Sequence, residues 1–392
     1  MAVAPADDAV RESDLRQWKL VEAFKDRLAA ATQQCPLAPT WSDRRRLLSC
    51  GDYLALFLFG LLNPVVSTMR GLCAASRLER VQREVCGRPV SLGSFSEAQT
   101  VVEPALLEAV FLHLTEELTQ KGAAAAGSPG RRWLLQDGSL FDALPRMYWA
   151  LWRRQGKVQS QVRLHLSLDV ATRQPARAVV TAGKMCERAA WRSQWRRGDG
   201  YVGDRYYAEN YQLFGELAQA GVAFVVRLRD EAVIQGQEEL PLAPGDIAAG
   251  VERCAWAHLG CKGRYRSIRL RAVWVRTPTE TLRLVTNLGP EELTAAQVAL
   301  LYKERWQIEL FFRWVKCILG CRHWLAESPE GAAMEIYLAL IAALLLQLYT
   351  GQRPNRRMME LIRFYFLGLA TLEEVQRGVE RELASIARRK KS

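Results

Sequence analysis

The sequence contains no CxxC pair and no HExxH segment, and its four histidines stand far apart. Those absences exclude the common zinc-finger and zinc-protease arrangements. Cys317, Cys321 and His323 have ligand-like spacing but no fourth partner, so small buried thiols are the expected role for the cysteines. Nine cysteines, an odd count, without a signal peptide fit a reducing cytosol. No internal repeat is present. The longest apolar run, residues 336–346 (IYLALIAALLL), is shorter than the ~20 residues a bilayer-spanning helix needs. It is expected to be a core helix, and no membrane partner is expected. Acids are in deficit: 42 Asp and Glu face 54 Lys and Arg, giving a net charge of +12. That balance favours a polyanionic partner, with nucleic acid first.

What is present is enough apolar material for a large core. Hydrophobic residues make up 49% of 392 residues, which suggests two or three domains. Residues 1–125 are expected to be helical. WKLVEAFKDRLAAA and ALLEAVFLHLTEELTQ have helical periodicity, the latter following Pro104 at a first helical position. GDYLALFLFGLLNP is apolar almost throughout, as a buried helix would be. SLGSFSEAQ offers Ser94 or Ser96 as an N-cap. KGAAAAGSPGRR has a linker composition. From 130 to 230 the pattern turns to strands (RWLLQDGSLF, VRLHLSLDV, ARAVVTAG, VAFVVRLR), with DRYYAENYQLFGELAQAG as a helix. Residues 231–283 form a β-rich insertion, although QGQEELPLAPGD within it is loop-like. Residues 284–350 turn helical from Thr294, and 351–392 form a helical tail with a basic end, ARRKKS. The sum is an α/β fold preceded by an all-α region.

The stretch YKERWQIELFFRWVK, residues 302–316, sets one Glu among cations on an apolar helix. At about 100° per residue, Tyr302, Arg305, Glu309 and Lys316 share an arc of roughly 60°, with Arg313 beside it. Leu301, Ile308, Phe311, Phe312, Val315 and Ile318 fill the adjoining apolar arc. The same spacing also fits ordinary ion pairs from Arg305 to Glu309 and from Glu309 to Arg313. Two further acids stand at strand ends. Asp137 closes the first strand, in WLLQDGS, with Ser139 near enough to hydrogen-bond. Asp204 follows a short strand, in YVGDRYY. Each also fits a turn or cap role. Three acids from separate elements suit Mg2+, which takes a few carboxylates and keeps room for water and phosphate. Two ions can serve phosphoryl transfer, and Tyr302, Arg305 and Lys316 could then hold DNA phosphates.

With Y-x2-R-x3-E-x6-K at Tyr302, Arg305, Glu309 and Lys316, DGS at Asp137 and DRYY at Asp204, the chain resembles bacterial DDE transposases. The likeness is to the insertion-sequence-four family, known for its YREK signature, and covers roughly residues 130–345. Tyr206 stands where such proteins often carry Gly. The resemblance implies an RNase H-like catalytic core with a β-strand insertion before the Glu helix, and a DNA-binding role for the helical region 1–125 from its place in such proteins. In agreement, 104 residues separate Asp204 from Glu309. It also implies two Mg2+ ions, with Mn2+ as a substitute, held by the catalytic acids Asp137, Asp204 and Glu309. The implied partners are inverted-repeat transposon ends, target DNA and a second copy in a synaptic homodimer, acting in the bacterial cytoplasm at the nucleoid. Excision would pass through a DNA hairpin, whose displaced base would need an aromatic platform. Trp256 and Trp274, in the insertion, are candidates, the second following Arg266, Arg269 and Arg271. Both also fit core positions. The alternatives are a metal-dependent nuclease of the same fold without strand transfer, and a non-catalytic DNA-binding remnant. An RNA-binding protein lacks support, since no RNP-like strand motif or KH-type GxxG occurs in context.

Overall fold

The computed structural model describes residues 17–63, 65–66, 68–123, 131–154, 156–260, 269–319, 324–350, 356–367 and 369–389. Cys321, His323, Arg266, most of the linker and the last residues of the basic tail lie outside these.

Among the described residues, six helices come first: α1 (Gln17–Gln34), α2 (Cys50–Leu62), α3 (Met69–Ala75), α4 (Glu79–Val81), α5 (Leu92–Ala98) and α6 (Pro104–Ala123). α2 is apolar nearly all round and is buried accordingly, its start fixed by Ser49, whose hydroxyl accepts from the Asp52 amide. α5 is capped by Ser91 rather than by Ser94 or Ser96. The chain is already helical at Ser94, whose amide donates to the Ser91 hydroxyl at 3.1 Å.

Among the described residues, ten strands build one sheet: β1 (Trp133–Asp142), β2 (Leu151–Arg154), β3 (Lys157–Asp169), β4 (Pro175–Ala182), β5 (Gly200–Gly203), β6 (Ala223–Arg227), β7 (Ile234–Glu239), β8 (Val251–Leu259), β9 (Arg269–Arg276) and β10 (Thr281–Thr286). Across its first half the order is β4-β3-β1-β5-β6, with β2 paired to the start of β3. β1, β3 and β4 are antiparallel neighbours, while β5 and β6 run parallel to β1. Helices α7 (Glu187–Gln194) and α8 (Gln212–Gln219) make the crossovers. This is the RNase H-like arrangement.

The β-rich stretch prolongs the same sheet. β10 pairs antiparallel with β6 at Thr286 and Val225, and β9, β8 and β7 follow outward. QGQEELPLAPGD is more ordered than its loop-like composition suggests. It supplies most of β7 and, after Pro244, the short helix α9 (Pro244–Ala248). β7 is an edge strand with little burial, so it carries no hydrophobic alternation to read.

Among the described residues, five helical segments follow the sheet: α10 (Ala295–Glu304), α11 (Trp306–Leu319), α12 (Pro329–Thr350), α13 (Arg356–Phe366) and α14 (Leu372–Arg389). A capping box between Thr294 and Gln297 starts α10. The expected single helix through residue 316 is divided at Arg305. There the Arg305 amide bonds to the Tyr302 carbonyl, three residues back rather than four. α12 contains the apolar run and is the one helix, among the described residues, long and apolar enough to cross a membrane; most of it is buried inside the protein. One apolar core joins α12, α10 and α11 to the N-terminal helices and one sheet face. A second core lies on the opposite face under α7 and α8.

Candidate functional site

Asp137 does not end its strand. It sits mid-way along β1, opposite Leu166 of β3. β1 stays paired to β3 through Asp142, whereas its parallel pairing to β5 stops at Leu135 and Val202. Two residues beyond that last pair, on each strand's line, stand Asp137 and Asp204. They are therefore level with each other where the sheet opens between two parallel strands, the place α/β sheets use for ligands.

Each aspartate is tied to local backbone. Asp137 Oδ1 accepts from the Gly138 amide at 2.8 Å, and Asp204 Oδ1 accepts from the Tyr206 amide at 2.9 Å. The turn after Asp204 is tight but needs no glycine at Tyr206, whose φ is −65°. Burial, followed by the charges of Asp204 and Glu187, pushes the Asp137 carboxyl up to about 7, against the Gly138 amide and Arg305. Asp204 is raised chiefly by burial and further by Glu309, while the Tyr206 amide, Arg305 and Arg205 oppose the shift. Glu309 and Arg305 thus act on the aspartates from across the site. They also pair with each other at 2.7 Å, as the i,i+4 spacing allows.

The helix seam divides into parts. Tyr302, on α10, is buried, and Arg305 lies 5.7 Å from its ring centroid. Burial pushes its hydroxyl up, with Asp204 among the contributing charges. Tyr302, Arg305 and Glu309 therefore join Asp137 and Asp204. Lys316 lies farther along α11, with Nζ 5.2 Å from the ring centroid of Phe141 on β1. Arg313 points to solvent and stacks over Trp306 at 5.1 Å.

The two tryptophans are in the insertion, both half-buried. Trp256 is opposite Arg271, and Trp274 is opposite Arg253. Residues 271 and 274 are three apart on β9, so the tryptophans occupy opposite faces. Arg269 stacks on Trp256 at 4.9 Å and Arg253 on Trp274 at 4.5 Å. Trp274 also packs against the core under α7 and α8.

A residue that sequence reasoning missed is Glu187. It heads α7 beside Gly138, paired to buried Arg163. Burial leads, against Arg163 and with Asp204, in raising its carboxyl to about 7. Its only signal in the sequence was an acid opening the short amphipathic segment ERAAWRSQ.

The donor chemistry fits a hard divalent cation: carboxylates from β1, from the β5 end and from α11, two of them raised first by burial and then by neighbouring like charge. Among the described residues no three such groups are gathered as a closed ligand set, and Arg305 supplies the positive charge.

The family model and the curated relatives that match this chain carry transposase names. The model of the family described as "Transposase DDE domain" matches residues 131–345, more than half of the chain. A putative transposase, y4zB, of Sinorhizobium fredii is 32% identical over 195 residues, covering 49% of this chain and 52% of its own length. A probable transposase for insertion sequence element IS5377 of Geobacillus stearothermophilus is 26% identical over 236 residues, 58% of this chain and 60% of its own. The chain thus spans between half and two thirds of these two relatives. A solved piggyBac transposase synaptic complex with hairpin DNA aligns over 93% of this chain and 81% of its own, at 10% identity and a TM-score of 0.42.

Proposed function

Because the chain belongs to the transposase DDE domain family, we propose that it is a cut-and-paste DNA transposase of the YREK-bearing insertion-sequence-four type. Its substrates are the inverted repeats at the ends of its own element and then target DNA, with two copies holding two ends. What supports this reading most is the level pair Asp137 and Asp204, with Arg305 and Glu309 acting on it from one helix break.

Asp137, Asp204 and Glu309 would hold Mg2+ or Mn2+, in keeping with the divalent-ion dependence general to DDE domains. When bound, the ions supply Lewis acidity toward the scissile phosphate. The remaining work belongs to the chain. Arg305 and Lys316, with the Tyr302 hydroxyl, hold the phosphates flanking the reacting bond and keep it in line with its attacker. Each step forms one P–O bond and breaks the opposite one. A water oxygen attacks first and frees a 3′-hydroxyl. That hydroxyl attacks the other strand to close a hairpin, water reopens the hairpin, and the freed end then joins target DNA. Before an ion arrives, Arg305 offsets the negative charge of the acids.

The test is incubation of the full chain with Mg2+ and DNA carrying the inverted repeats that flank its gene. Nicked, hairpin and joined products are expected. Joining to a target plasmid separates transposition from simple nuclease action. Asp137→Asn, Asp204→Asn and Glu309→Gln should each abolish cleavage with end binding near normal, because cations make the phosphate contacts. Robust Mg2+-dependent cutting by Asp204→Asn would overturn the assignment.

A further inference from the structure

α7 opens with Cys186 as its cap residue and with Glu187 and Arg188 in its first turn. Glu187 lies against β1 at the residue next to Asp137. A Cβ built on Gly138 would sit 3.0 Å from Glu187 Cδ and 3.1 Å from its Cγ, so the side chain rests where only glycine leaves room. Arg163 of β3 pairs with it, the two side chains being 10% and 15% exposed. Arg188 turns the other way. It donates to the Tyr206 carbonyl at 3.2 Å and to Glu209 at 2.7 Å, and it stacks on the Tyr206 ring at 4.8 Å. A single helical turn therefore grips both segments that carry the aspartates. The catalytic reading uses neither Glu187 nor Arg163.

We propose that Glu187 is a positioning residue for the divalent-ion site: it fixes β1 at Asp137 and adds negative charge that sets ion affinity, while Arg163 offsets that charge. The inference rests on the ion site assigned above. Removing the Glu187 charge makes the site less negative, so an ion binds less tightly. Removing the Arg163 charge uncovers Glu187, so an ion binds more tightly. An ion pair that served folding alone would weaken binding, if at all, in the same direction for both.

The measurement is Mn2+ binding to the full chain without DNA, from the paramagnetic resonance signal of free Mn2+, beside a thermal melt of each variant. Glu187→Gln keeps the packing on Gly138 and a hydrogen bond to Arg163. It should raise the dissociation constant about tenfold, as loss of one nearby charge implies. Arg163→Gln should lower it several-fold. If Arg163→Gln fails to fold, Arg163→Lys keeps the charge and should bind within about twofold of wild type. Wild-type affinity in Glu187→Gln overturns the proposal, as does weakening by both Gln variants or strong weakening by Arg163→Lys. Asp204→Asn separates the two levels of inference. If it binds Mn2+ like wild type, the ion site itself is wrong. If it loses binding while Glu187→Gln does not, only the role of Glu187 falls.

Discussion

Glu335 is a carboxylic acid set into the apolar helix α12, with 3% of its surface exposed. It accepts from the Leu325 amide at 3.1 Å and so holds the segment that enters α12. Burial outweighs the hydrogen bonds from the Leu325 and Ala326 amides, and its carboxyl is pushed up to about 8. A carboxyl raised in the fold and ordinary in the unfolded chain favours folding while both states bind its proton. That stabilisation is complete below the unfolded value and fades as pH rises towards 8. The melting temperature of wild type should therefore fall by a few degrees between pH 5 and pH 8. Glu335→Gln, which cannot ionise, should show a flatter profile over that interval. Equal slopes for the two proteins would remove Glu335 as a source of pH dependence. Glu335 was not legible as special in the sequence, because an acid in AAMEIYLAL gives no sign of which neighbours cover it.

α11 presents Lys316 over Phe141, on the strand that carries Asp137. If that amine meets a phosphate of the cleaved end, Lys316→Ala should weaken end binding and lower the slope of log affinity against log salt by about one. Mn2+ binding should be unchanged. Identical salt slopes for variant and wild type would make Lys316 a packing residue of the helix. The insertion strands permit a similar separation. Trp274 packs on a core, so Trp274→Ala should lower the melting temperature and impair every step together. Trp256 has Arg269 stacked over its ring, itself paired to Glu238. If Trp256 holds a displaced base, Trp256→Ala should nick normally and form fewer hairpins on a denaturing gel. Normal hairpin yield from both folded variants would send the search elsewhere. The elements legible in the sequence were those with a strong period and a full face to bury: α2, α6, α12, β3, β6 and β9. Those missed lack one or the other. β2 spans four residues and α7 eight, and β7 is exposed along most of its length. The division at Arg305 escaped notice because that residue keeps helical dihedrals, φ −51° and ψ −32°, and only its hydrogen bond changes.

At the scale of the molecule, the acids were legible and their frame was not. DGS, DRYY and the YREK spacing marked three carboxylates, but the level pairing of Asp137 with Asp204 is a property of strand register, which a single sequence does not display. Glu187 was hidden for the same reason, since its meaning depends on which strand it covers. The role of α12 also appears only in three dimensions. It packs on α6, α2, α1 and α11, and Tyr337 on it donates to the Ala178 carbonyl of β4 at 2.9 Å. A chain beginning at residue 130 would leave much of that helix uncovered. It should aggregate or melt well below the full chain when the two are compared by size-exclusion chromatography and thermal melting. A soluble, equally stable shortened chain would show that the two cores are separable. The same packing has a consequence during synthesis. α2 leaves the ribosome more than 260 residues before the start of α12. At 5–20 residues per second, its apolar surface waits on the order of 10–50 s for that cover. Nascent chains in that interval are natural clients for chaperones, and a pause or premature stop before residue 329 yields a sticky fragment rather than a smaller folded protein.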